Sequence, residues 1–478
     1  MKARQSRRLK QATLVLGGCL ALYCLLFVSS STIDDEAPGS GSTRSTSRPA
    51  SSKLLTPDLL ANLSLSEEQC NAAFPGLTKE IDDAVAEGPF KVKQTGDLGP
   101  LQGRIKDGKL SIINTQRKVD LSREMANSRS AAMHQLHRAL ITSPSPLPDT
   151  IFSLNFQDQP FGTAWTYSRP ADPTFRSKDP DVRNFLMPHF SFWAWPLPFI
   201  GSMDRAARAI AAIESSLPFA RKIPKAVWRG TTWFNSVQNP RLRQNLIVAS
   251  RGRPWADIEA LEWTTAEKGR PGAAGAAGGG NSRNASNALP IEDFCRYKYV
   301  VHTDGIAYSG RFQFLQMCAS VVITPPILWM QHTTHLVRPV FSSDLAGTGG
   351  GASADSRAKA AGAPGTGAGA GWVESERIRN SWPVRYRPEE ANIVFVAPDW
   401  SDLEATVTWL EDHPDVAEGI ARRQREMFVG GGYFSPAAEA CYWRALVRGW
   451  AEVARTEGMG WEDLEGVTFE TFSLTGGD

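Results

Sequence analysis

Three short segments place residues suited to phosphate binding or proton transfer just after an apolar run. The first, VVHTDGIAYSGRF, contains four such polar or small residues, namely Asp304, Ser309, Gly310 and Arg311. An arginine offers paired N–H donors that match two phosphate oxygens. The run from Arg311 to Cys318 predicts a helix that Ser309 would cap and whose first N–H groups would attract an anion. Gly310 would let the backbone approach that ligand. The alternative is a surface arginine paired with Asp304.

The second segment, AVWRGTT, repeats this pattern. Arg229 and Gly230 follow a short apolar run, and two hydroxyl residues, Thr231 and Thr232, come next. Two arginines at strand ends could clamp a pyrophosphate, because each supplies a fixed pair of donors. The alternative is that Arg229 pairs structurally with a carboxylate.

The third segment, NFQDQP, places Asp158 just past a predicted strand. A carboxylate at a strand end is a candidate general base. Aspartate is also common in turns, so a turn residue is the alternative interpretation.

An aromatic segment and a histidine pair are further candidates. Residues 185–200 are rich in aromatic residues and prolines, and Trp193 and Trp195 could stack on a sugar ring, although core packing is the commoner explanation. The pair His332 and His335 has no third ligand nearby, so we interpret it as structural or pocket-lining rather than as a metal site.

The sequence predicts no metal site. Asp179-Pro180-Asp181 has the spacing of a metal-binding motif, but no apolar strand precedes it, and no paired cysteine spacing indicates zinc.

The elements that must position these residues alternate between strands and helices, which predicts an α/β protein with parallel sheets. Predicted strands are 150–156, 225–228, 300–303 and 392–398; predicted helices are 203–217 after Ser202, 241–249, one through Leu410 that a Ser401–Glu404 capping box opens, and 436–455. In such sheets, ligands bind past the carboxyl ends of the strands.

The N-terminus predicts entry into the secretory pathway. Residues 1–10 are basic and 11–31 are uncharged and mostly apolar, so we predict a cytoplasmic tail followed by a transmembrane signal anchor. A cleaved signal peptide is the alternative. Residues 32–53 are polar and predict a flexible, disordered stem. Net charge is only +2, which gives no indication of nucleic-acid binding.

The remaining chain is predicted to form an N-terminal acceptor-side lobe (54–220), a nucleotide-sugar-binding lobe (221–435) and a C-terminal helix and tail (436–478). Gly/Ala-rich insertions at 269–288 and 342–371 are predicted to be disordered surface loops. Two sequons predict glycosylation at Asn62 and Asn284. Four cysteines, Cys70, Cys295, Cys318 and Cys441, are predicted either to form disulfides or to be small buried side chains.

Four segments in this order resemble the capsule-associated-protein family, which includes the protein O-glucosyltransferases and is also called glycosyltransferase family 90. They are PKAVWRG, CRYKYVVHTDGIAYSGRFQFLQMCASVVI, Trp329 beyond it, and VFVAPDWSDLE. The resemblance covers roughly residues 145–455. One residue departs from the pattern, since Gln331 stands where an acidic residue is common in the family.

The resemblance implies a GT-B architecture, two Rossmann-like lobes with a UDP-sugar in the cleft, and inversion at the anomeric carbon without a metal. It implies that Asp158 is the catalytic base and that Arg229 and Ser309–Arg311 face the diphosphate. The residues expected to complete the nucleotide-sugar site are Thr231, Asp304, Ala307 and Tyr308. Those expected to contact the acceptor or the sugar are Trp193, Trp195 and Trp329.

We therefore expect a Golgi or ER enzyme, single-pass and lumenal, that transfers xylose or glucose from a UDP-sugar to a glycan or protein hydroxyl. No cofactor and no metal are expected. Two alternatives stay open: an inactive lumenal sugar-binding protein on the same fold, and a glycoside hydrolase, for which Asp158 would need a second carboxylate.

Overall fold

The computed structural model describes residues 55–96, 98–175, 182–264, 284–345 and 372–475. The predicted cytoplasmic tail, signal anchor and stem lie outside these residues, as do the Asp179-Pro180-Asp181 motif and most of both insertions. Among the described residues, no helix is long and apolar enough to cross a bilayer.

The described residues form a mixed α/β fold, so the predicted fold class is confirmed at this level. The strands are β1 (Phe90–Lys91), β2 (Leu101–Lys106), β3 (Lys109–Asn114), β4 (Thr150–Leu154), β5 (Ala164–Thr166), β6 (Arg169–Pro170), β7 (Asn184–Leu186), β8 (Ile223–Gly230), β9 (Ala256–Ala260), β10 (Trp263–Thr264), β11 (Asn284–Ala285), β12 (Tyr297–Val301), β13 (Val321–Thr324), β14 (Trp329–Met330), β15 (Pro339–Phe341), β16 (Ile393–Phe395), β17 (Ala454–Arg455) and β18 (Val467–Thr468). The helices are α1 (Pro57–Ala61), α2 (Glu67–Ala73), α3 (Lys79–Ala86), α4 (Arg123–Ile141), α5 (Met203–Ser216), α6 (Leu242–Ser250), α7 (Phe312–Leu315), α8 (Ser342–Leu345), α9 (Glu376–Ser381), α10 (Leu403–Asp412), α11 (Pro414–Arg425), α12 (Pro436–Val453) and α13 (Phe469–Thr475).

The first six-stranded sheet has the order β18-β3-β2-β4-β5-β7 and is mixed. Strands β2 and β3 form a hairpin whose turn residues, Asp107 and Gly108, both have positive φ. This Asp-Gly turn matches the right-handed twist of the two strands. Strands β4, β5 and β7 are mutually parallel, and Asp158 follows β4.

The second six-stranded sheet has the order β15-β16-β13-β12-β8-β9, and all its neighbouring strands are parallel. Its central strands are buried on both faces, as their continuous Val and Ile runs predict. From β8 the chain continues to β9 on one side and then returns to β12 on the other side. The loops after β8 and β12 therefore diverge, and this topological switch point is where ligands bind in open parallel sheets.

The C-terminal helix α12 packs into the core of the first sheet. Trp443 and Trp450 are fully buried there. The buried Arg444 donates to the carbonyls of Ala139 and Leu65, at 3.0 and 3.2 Å. The predicted helix is thus present, and it completes the core that the N-terminal half begins.

The four cysteines of the described residues form two disulfides, Cys70–Cys441 and Cys295–Cys318. Of the two interpretations, pairing is therefore confirmed. The first bond joins α2 to α12, across 371 residues of sequence. The second joins the chain before β12 to the chain after α7.

One predicted helix start is confirmed and one predicted capping box is wrong. Ser202 lies at the N-cap position of α5, as predicted, but its hydroxyl donates to Asp204 at 2.5 Å rather than accepting from the helix backbone. Helix α10 begins after Asp402, without a side-chain cap, and Ser401 accepts no bond from it. Short-range sequence patterns identify these helix starts but not the hydrogen bonds that form there.

The two edges of the 346–371 segment lie side by side. Trp372 donates its Nε1–H to Ser342 Oγ at 3.0 Å, and Arg385 forms ion pairs with Asp344 and Glu374. The insertion predicted from Ser342 therefore begins later, because Ser342–Leu345 form α8. The insertion predicted at 269–288 ends earlier than predicted, because Asn284–Ala285 form β11.

We expect that residues 347–370 can be replaced by a short Gly-Ser linker without loss of the fold. The segment's edges are already together, and each halving of a loop lowers its closure cost by about 0.6 kcal/mol. The Tm of the shortened protein, measured by differential scanning calorimetry, should therefore equal or slightly exceed that of the full chain. A fall in Tm would mean that the segment contributes contacts to the folded core.

Candidate active site

Asp158 is held in a tight turn after β4. Asn155 closes this turn, because its Oδ1 accepts from Gln157 N at 2.9 Å and its Nδ2 donates to Gln159 O at 2.8 Å. The Asp158 side chain reaches solvent, and it accepts no hydrogen bond from the described residues. Protein nevertheless surrounds it on several sides, and this burial raises the pKa of its carboxyl group, while the positive charge of Arg243 opposes the rise. A free carboxylate with a raised pKa is suited to accept a proton.

Arg243 is a candidate site residue that the sequence interpretation missed. It lies on the buried face of α6, together with Leu242 and Leu246. Its Nη1 donates to the Thr231 carbonyl at 2.9 Å, and its Nε donates to Thr303 Oγ1 at 3.1 Å. It thus links the loops after β8 and β12 at the switch point. A cation on an apolar helical stripe was the signal available in the sequence.

Arg243 and Arg311 lie on the same indole ring. Their Cζ atoms are 5.9 and 6.0 Å from the ring centroid of Trp228. Burial, and then the charge of Arg311, lowers the pKa of Arg243 to about 9, while Asp304 and Asp158 oppose this shift. Burial lowers the pKa of Arg311 to about 10. Both side chains remain cations at neutral pH, and two neighbouring cations make this a favourable place for an anion.

The Arg229 side chain is hydrogen-bonded to Asp257 of the neighbouring strand β9 and to the Asn287 carbonyl. Its Nη2 contacts Asp257 Oδ1 at 2.6 Å, its Nη1 donates to the Asp257 carbonyl at 2.8 Å, and its Nε donates to the Asn287 carbonyl at 3.1 Å. The contacts match the alternative interpretation, a structural pair with a carboxylate. Arg229 acts on the site through its backbone, since its carbonyl accepts from Arg311 Nη1.

The helix expected after Ser309 is much shorter than predicted. Helix α7 has only four residues and no side-chain cap, and Arg311 occupies its N-cap position. One turn has a small dipole, so the arginine side chain, not the helix, supplies positive charge here.

Gly310 approaches His189 rather than open space. A Cβ at this glycine would lie 2.4 Å from His189 Nε2. The absence of a Cβ at Gly310 therefore allows close packing on His189, and the expected approach of its backbone to a ligand stays a prediction.

The middle of the 304–311 loop is buried in the core of the first sheet. Ala307 and Tyr308 both belong to that core, and the Tyr308 ring lies 6.0 Å from Tyr167 and 5.6 Å from His189. The Tyr308 hydroxyl is buried and has no hydrogen-bond partner among the described residues. Burial and then the charge of Asp158 raise its pKa. A loop that starts at the second sheet therefore brings Arg311 close to the first sheet, which carries Asp158.

A cavity of about 310 Å³ lies past the carboxyl ends of β12, β13 and β16. Its lining includes Leu242, Asp304, Pro325, Leu328, Ile378 and Pro398. The buried Asp304 accepts from Leu328 N at 3.2 Å and lies 3.7 Å from His302 Nε2. The alternative interpretation, an ion pair of Asp304 with Arg311, is not among the ion pairs of the described residues. Most of the exposed cavity surface is apolar, and the charged residues of the lining are Asp304 and Arg377. An apolar cavity with a few polar groups suits a nucleoside.

The remaining predicted nucleotide-site residue, Thr231, has structural contacts. It is buried, its hydroxyl accepts from Trp263 Nε1 at 3.3 Å, and its carbonyl accepts from Arg243. It therefore holds the arginine in place at the end of β8.

The three tryptophans predicted to contact sugar occupy different places. Trp193 packs on His134 and Arg138, each 5.0 Å from its ring centroid. Trp195 packs against the aromatic core residue Phe190, at 5.3 Å. Trp329 is buried, and β14, which contains it, pairs with β6 of the first half of the chain. Trp329 therefore helps to join the two sheets.

Both members of the histidine pair make contacts within the protein. His332 is buried against Tyr442, and His335 Nε2 contacts the Gly76 carbonyl at 2.8 Å. In the described part of the chain, one group of potential metal ligands comes together, Glu214 with Cys295 and Cys318, but both cysteines are in a disulfide. Asn62 is exposed at the end of α1, and its glycosylation stays a prediction, as does that of Asn284.

The fold and site define an α/β protein with a candidate anion site at the switch point of a parallel sheet. The family model "Glycosyl transferase family 90" matches residues 104–341. This chain is 22% identical to an O-glucosyltransferase rumi homolog of Anopheles gambiae over 65% of its length, and 26% identical to protein O-glucosyltransferase 1 of Rattus norvegicus over 63%. It is also 26% identical to the Homo sapiens protein O-glucosyltransferase 1 over 40% of its length. The matches span 63%, 62% and 47% of these relatives. The chain belongs to glycosyl transferase family 90.

Proposed function

We propose that this protein is an inverting glycosyltransferase that moves xylose or glucose from a UDP-sugar to a hydroxyl of a glycan or protein. One observation carries the proposal. Asp158, a carboxylate with no hydrogen-bond or ion-pair partner among the described residues, interacts electrostatically with Arg243, and Arg243 lies on the same Trp228 indole as Arg311. A glycosyl transfer needs a base for the acceptor and positive charge for the leaving diphosphate. The three side chains supply both.

In the proposed reaction, Asp158 removes the proton of the acceptor hydroxyl as the oxygen attacks the anomeric carbon. The bond between that carbon and the diphosphate oxygen breaks on the opposite face, and UDP leaves. Arg243 and Arg311 stabilise the negative charge that develops on the diphosphate. The cavity beside Asp304 takes the nucleoside, since it adjoins Arg243 at the carboxyl ends of the strands.

We further propose that the reaction needs no metal, because two arginines already supply charge at the diphosphate. The proposed architecture is GT-B, with the two six-stranded sheets as the two lobes. The proposed setting is the Golgi or ER lumen, with a single N-terminal anchor.

The experiment is UDP release from a panel of UDP-sugars by the purified chain from residue 55, with and without EDTA. Release with one donor, unchanged by EDTA, supports the proposal and identifies the sugar. Loss of release on EDTA addition, restored by a divalent cation, contradicts the metal-independent part. A folded protein that releases no UDP, and that UDP does not stabilise thermally, would instead be the inactive sugar-binding protein.

We expect the Cys295–Cys318 disulfide to support UDP binding, because the segment it closes carries the 304–311 loop. Its removal by a Cys295→Ala/Cys318→Ala pair should lower stability by about 3 kcal/mol, as expected for a loop of this length. It should also weaken UDP binding measured by calorimetry at a temperature where the variant is folded.

The matched control is Cys70→Ala/Cys441→Ala. This bond joins two helices that pack on the first sheet, far in sequence from the loop. The control should lose stability while keeping its UDP affinity. Equal UDP affinities for the two variants and the parent would show that the first disulfide does not organise the loop.

A further inference from the structure

The loop between β8 and α6 exposes three large apolar side chains. Trp233, Phe234 and Val237 are 55%, 40% and 65% exposed, and the two ring centroids lie 6.2 Å apart. We call these three side chains the apolar rim. Single exposed apolar residues are ordinary on protein surfaces, but three within five residues of one loop beside a candidate site form a local feature.

Hydrogen bonds hold this loop in place. Asn235 Oδ1 accepts from Arg243 N at 2.9 Å, and its Nδ2 donates to the Thr232 carbonyl at 2.8 Å. Ser236 Oγ accepts from Trp329 Nε1 at 3.1 Å. Asn235 and Ser236, which are adjacent to the rim residues, are therefore hydrogen-bonded to α6 and to β14. These bonds fix the backbone conformation that exposes the rim.

The same loop forms one wall of the cavity proposed to take the nucleoside. Ser236, Gln238 and Asn239 line that cavity. Gln238 Oε1 accepts from Arg377 Nη1 at 3.2 Å, and the Arg377 Cζ lies 3.5 Å from the ring centroid of Phe175, which is 48% exposed. The polar residues of the loop thus serve the cavity, and its apolar residues face solvent beside it.

We propose that the apolar rim is an acceptor platform that binds a carbohydrate chain. The proposal rests on the proposed transferase function, because with the donor in the cavity the acceptor is the substrate left to bind outside. Pyranose rings have apolar C–H faces that pack on aromatic rings, and hydroxyls that bond to amides and hydroxyls such as those of Asn235 and Thr232. Aromatic faces with a few polar groups between them suit this chemistry.

Two other partners fit the rim less well. A lipid surface is bound by apolar residues accompanied by several basic ones, whereas the loop from Thr231 to Arg241 contains a single charged residue. A folded protein partner needs a continuous buried patch of roughly 800 Å² on each side, which three side chains do not provide.

The test compares the parent with Trp233→Ala/Phe234→Ala and with Val119→Ser, which replaces an exposed valine in the first half of the chain. Calorimetry in the presence of UDP measures binding of unbranched tri- to pentasaccharides of mannose, glucose, galactose and xylose. A serine-containing peptide and vesicles of phosphatidylcholine with phosphatidylserine are tested alongside. Thermal stabilisation by UDP reports the donor side separately.

We expect one class of oligosaccharide to bind the parent and Val119→Ser equally and to bind the double variant about tenfold or more weakly. UDP stabilisation should be the same in all three. In transfer assays, the acceptor KM should rise with little change in kcat.

Undiminished oligosaccharide binding by the double variant would overturn the inference. Binding of only the peptide, only the vesicles or none of the probes would also overturn it. A third outcome separates the two proposals. If the double variant loses oligosaccharide binding but UDP does not stabilise even the parent, the carbohydrate site is supported and the proposed transferase function is contradicted.

Discussion

Replacing Asp158 with Asn is expected to lower kcat for transfer by about 10²–10⁴-fold, the usual contribution of a general base. Asparagine keeps the size of the side chain and removes only its ability to accept the proton. Because Asp158 has no hydrogen-bond partner among the described residues, the substitution leaves no protein donor unpaired. UDP stabilisation and Tm should therefore stay close to those of the parent. The measurement is transfer at saturating donor and acceptor, alongside calorimetry with UDP.

The pH profile tests the same assignment. Transfer needs the ionised carboxylate, so activity should rise with pH as Asp158 loses its proton. Since burial raises the pKa of this carboxyl, the rise should lie above the ordinary range for aspartate. The control, Asp412→Asn at the end of α10, should keep both the rate and the profile. A parent-like rate in Asp158→Asn would assign the base to another group.

Residues whose partners are near in sequence were predicted well. The strand before Asp158 and the strand that contains Arg229 are both present, because short apolar runs bounded by turn residues identify strands locally. The α/β class follows from the same pattern. The turn that presents Asp158 is also local, since Asn155 closes it over four residues.

The arginines show where sequence reasoning fails. The role of Arg229 depends on Asp257, which reaches it only because β8 and β9 are neighbours. Arg243 depends on carbonyls and hydroxyls in two separate loops, one of them about sixty residues away. Neither strand order nor loop proximity is encoded in any local pattern, so the sequence pointed to Arg229 and Arg311 but not to Arg243.

The packing of the core of the first sheet could not be predicted from local sequence patterns either. Helix α12 reads as an ordinary amphipathic helix near the C-terminus, yet it fills a core that β2, β4 and α4 begin. Its disulfide with Cys70 closes most of the described chain. Contacts over such sequence separations depend on tertiary packing. The apolar faces of the N-terminal strands and helices must be buried against another apolar face, and here the C-terminal helix supplies it.

Replacing Arg311 with Ala is expected to weaken UDP binding by about 10–100-fold, the value of one or two charge-assisted hydrogen bonds. We expect a further fall in kcat, because charge on the diphosphate increases as the sugar leaves and Arg311 would interact more strongly with the transition state than with the bound donor. Arg311→Lys should recover part of the binding, since it keeps the charge but not the paired donors. Calorimetry with UDP and single-turnover transfer measure the two effects separately.

Arg311 also donates to the Arg229 carbonyl, so a loss of fold must be distinguished from a loss of charge. Arg208→Ala is the matched control, because its side chain is 73% exposed on α5, where it pairs with Asp204 one turn earlier. Both alanine variants should keep the cooperative unfolding of the parent. If Arg311→Ala binds UDP like the parent while Arg243→Lys does not, the diphosphate lies on the α6 side of the Trp228 ring. The charge at the switch point would then come from the arginine that local sequence patterns did not reveal.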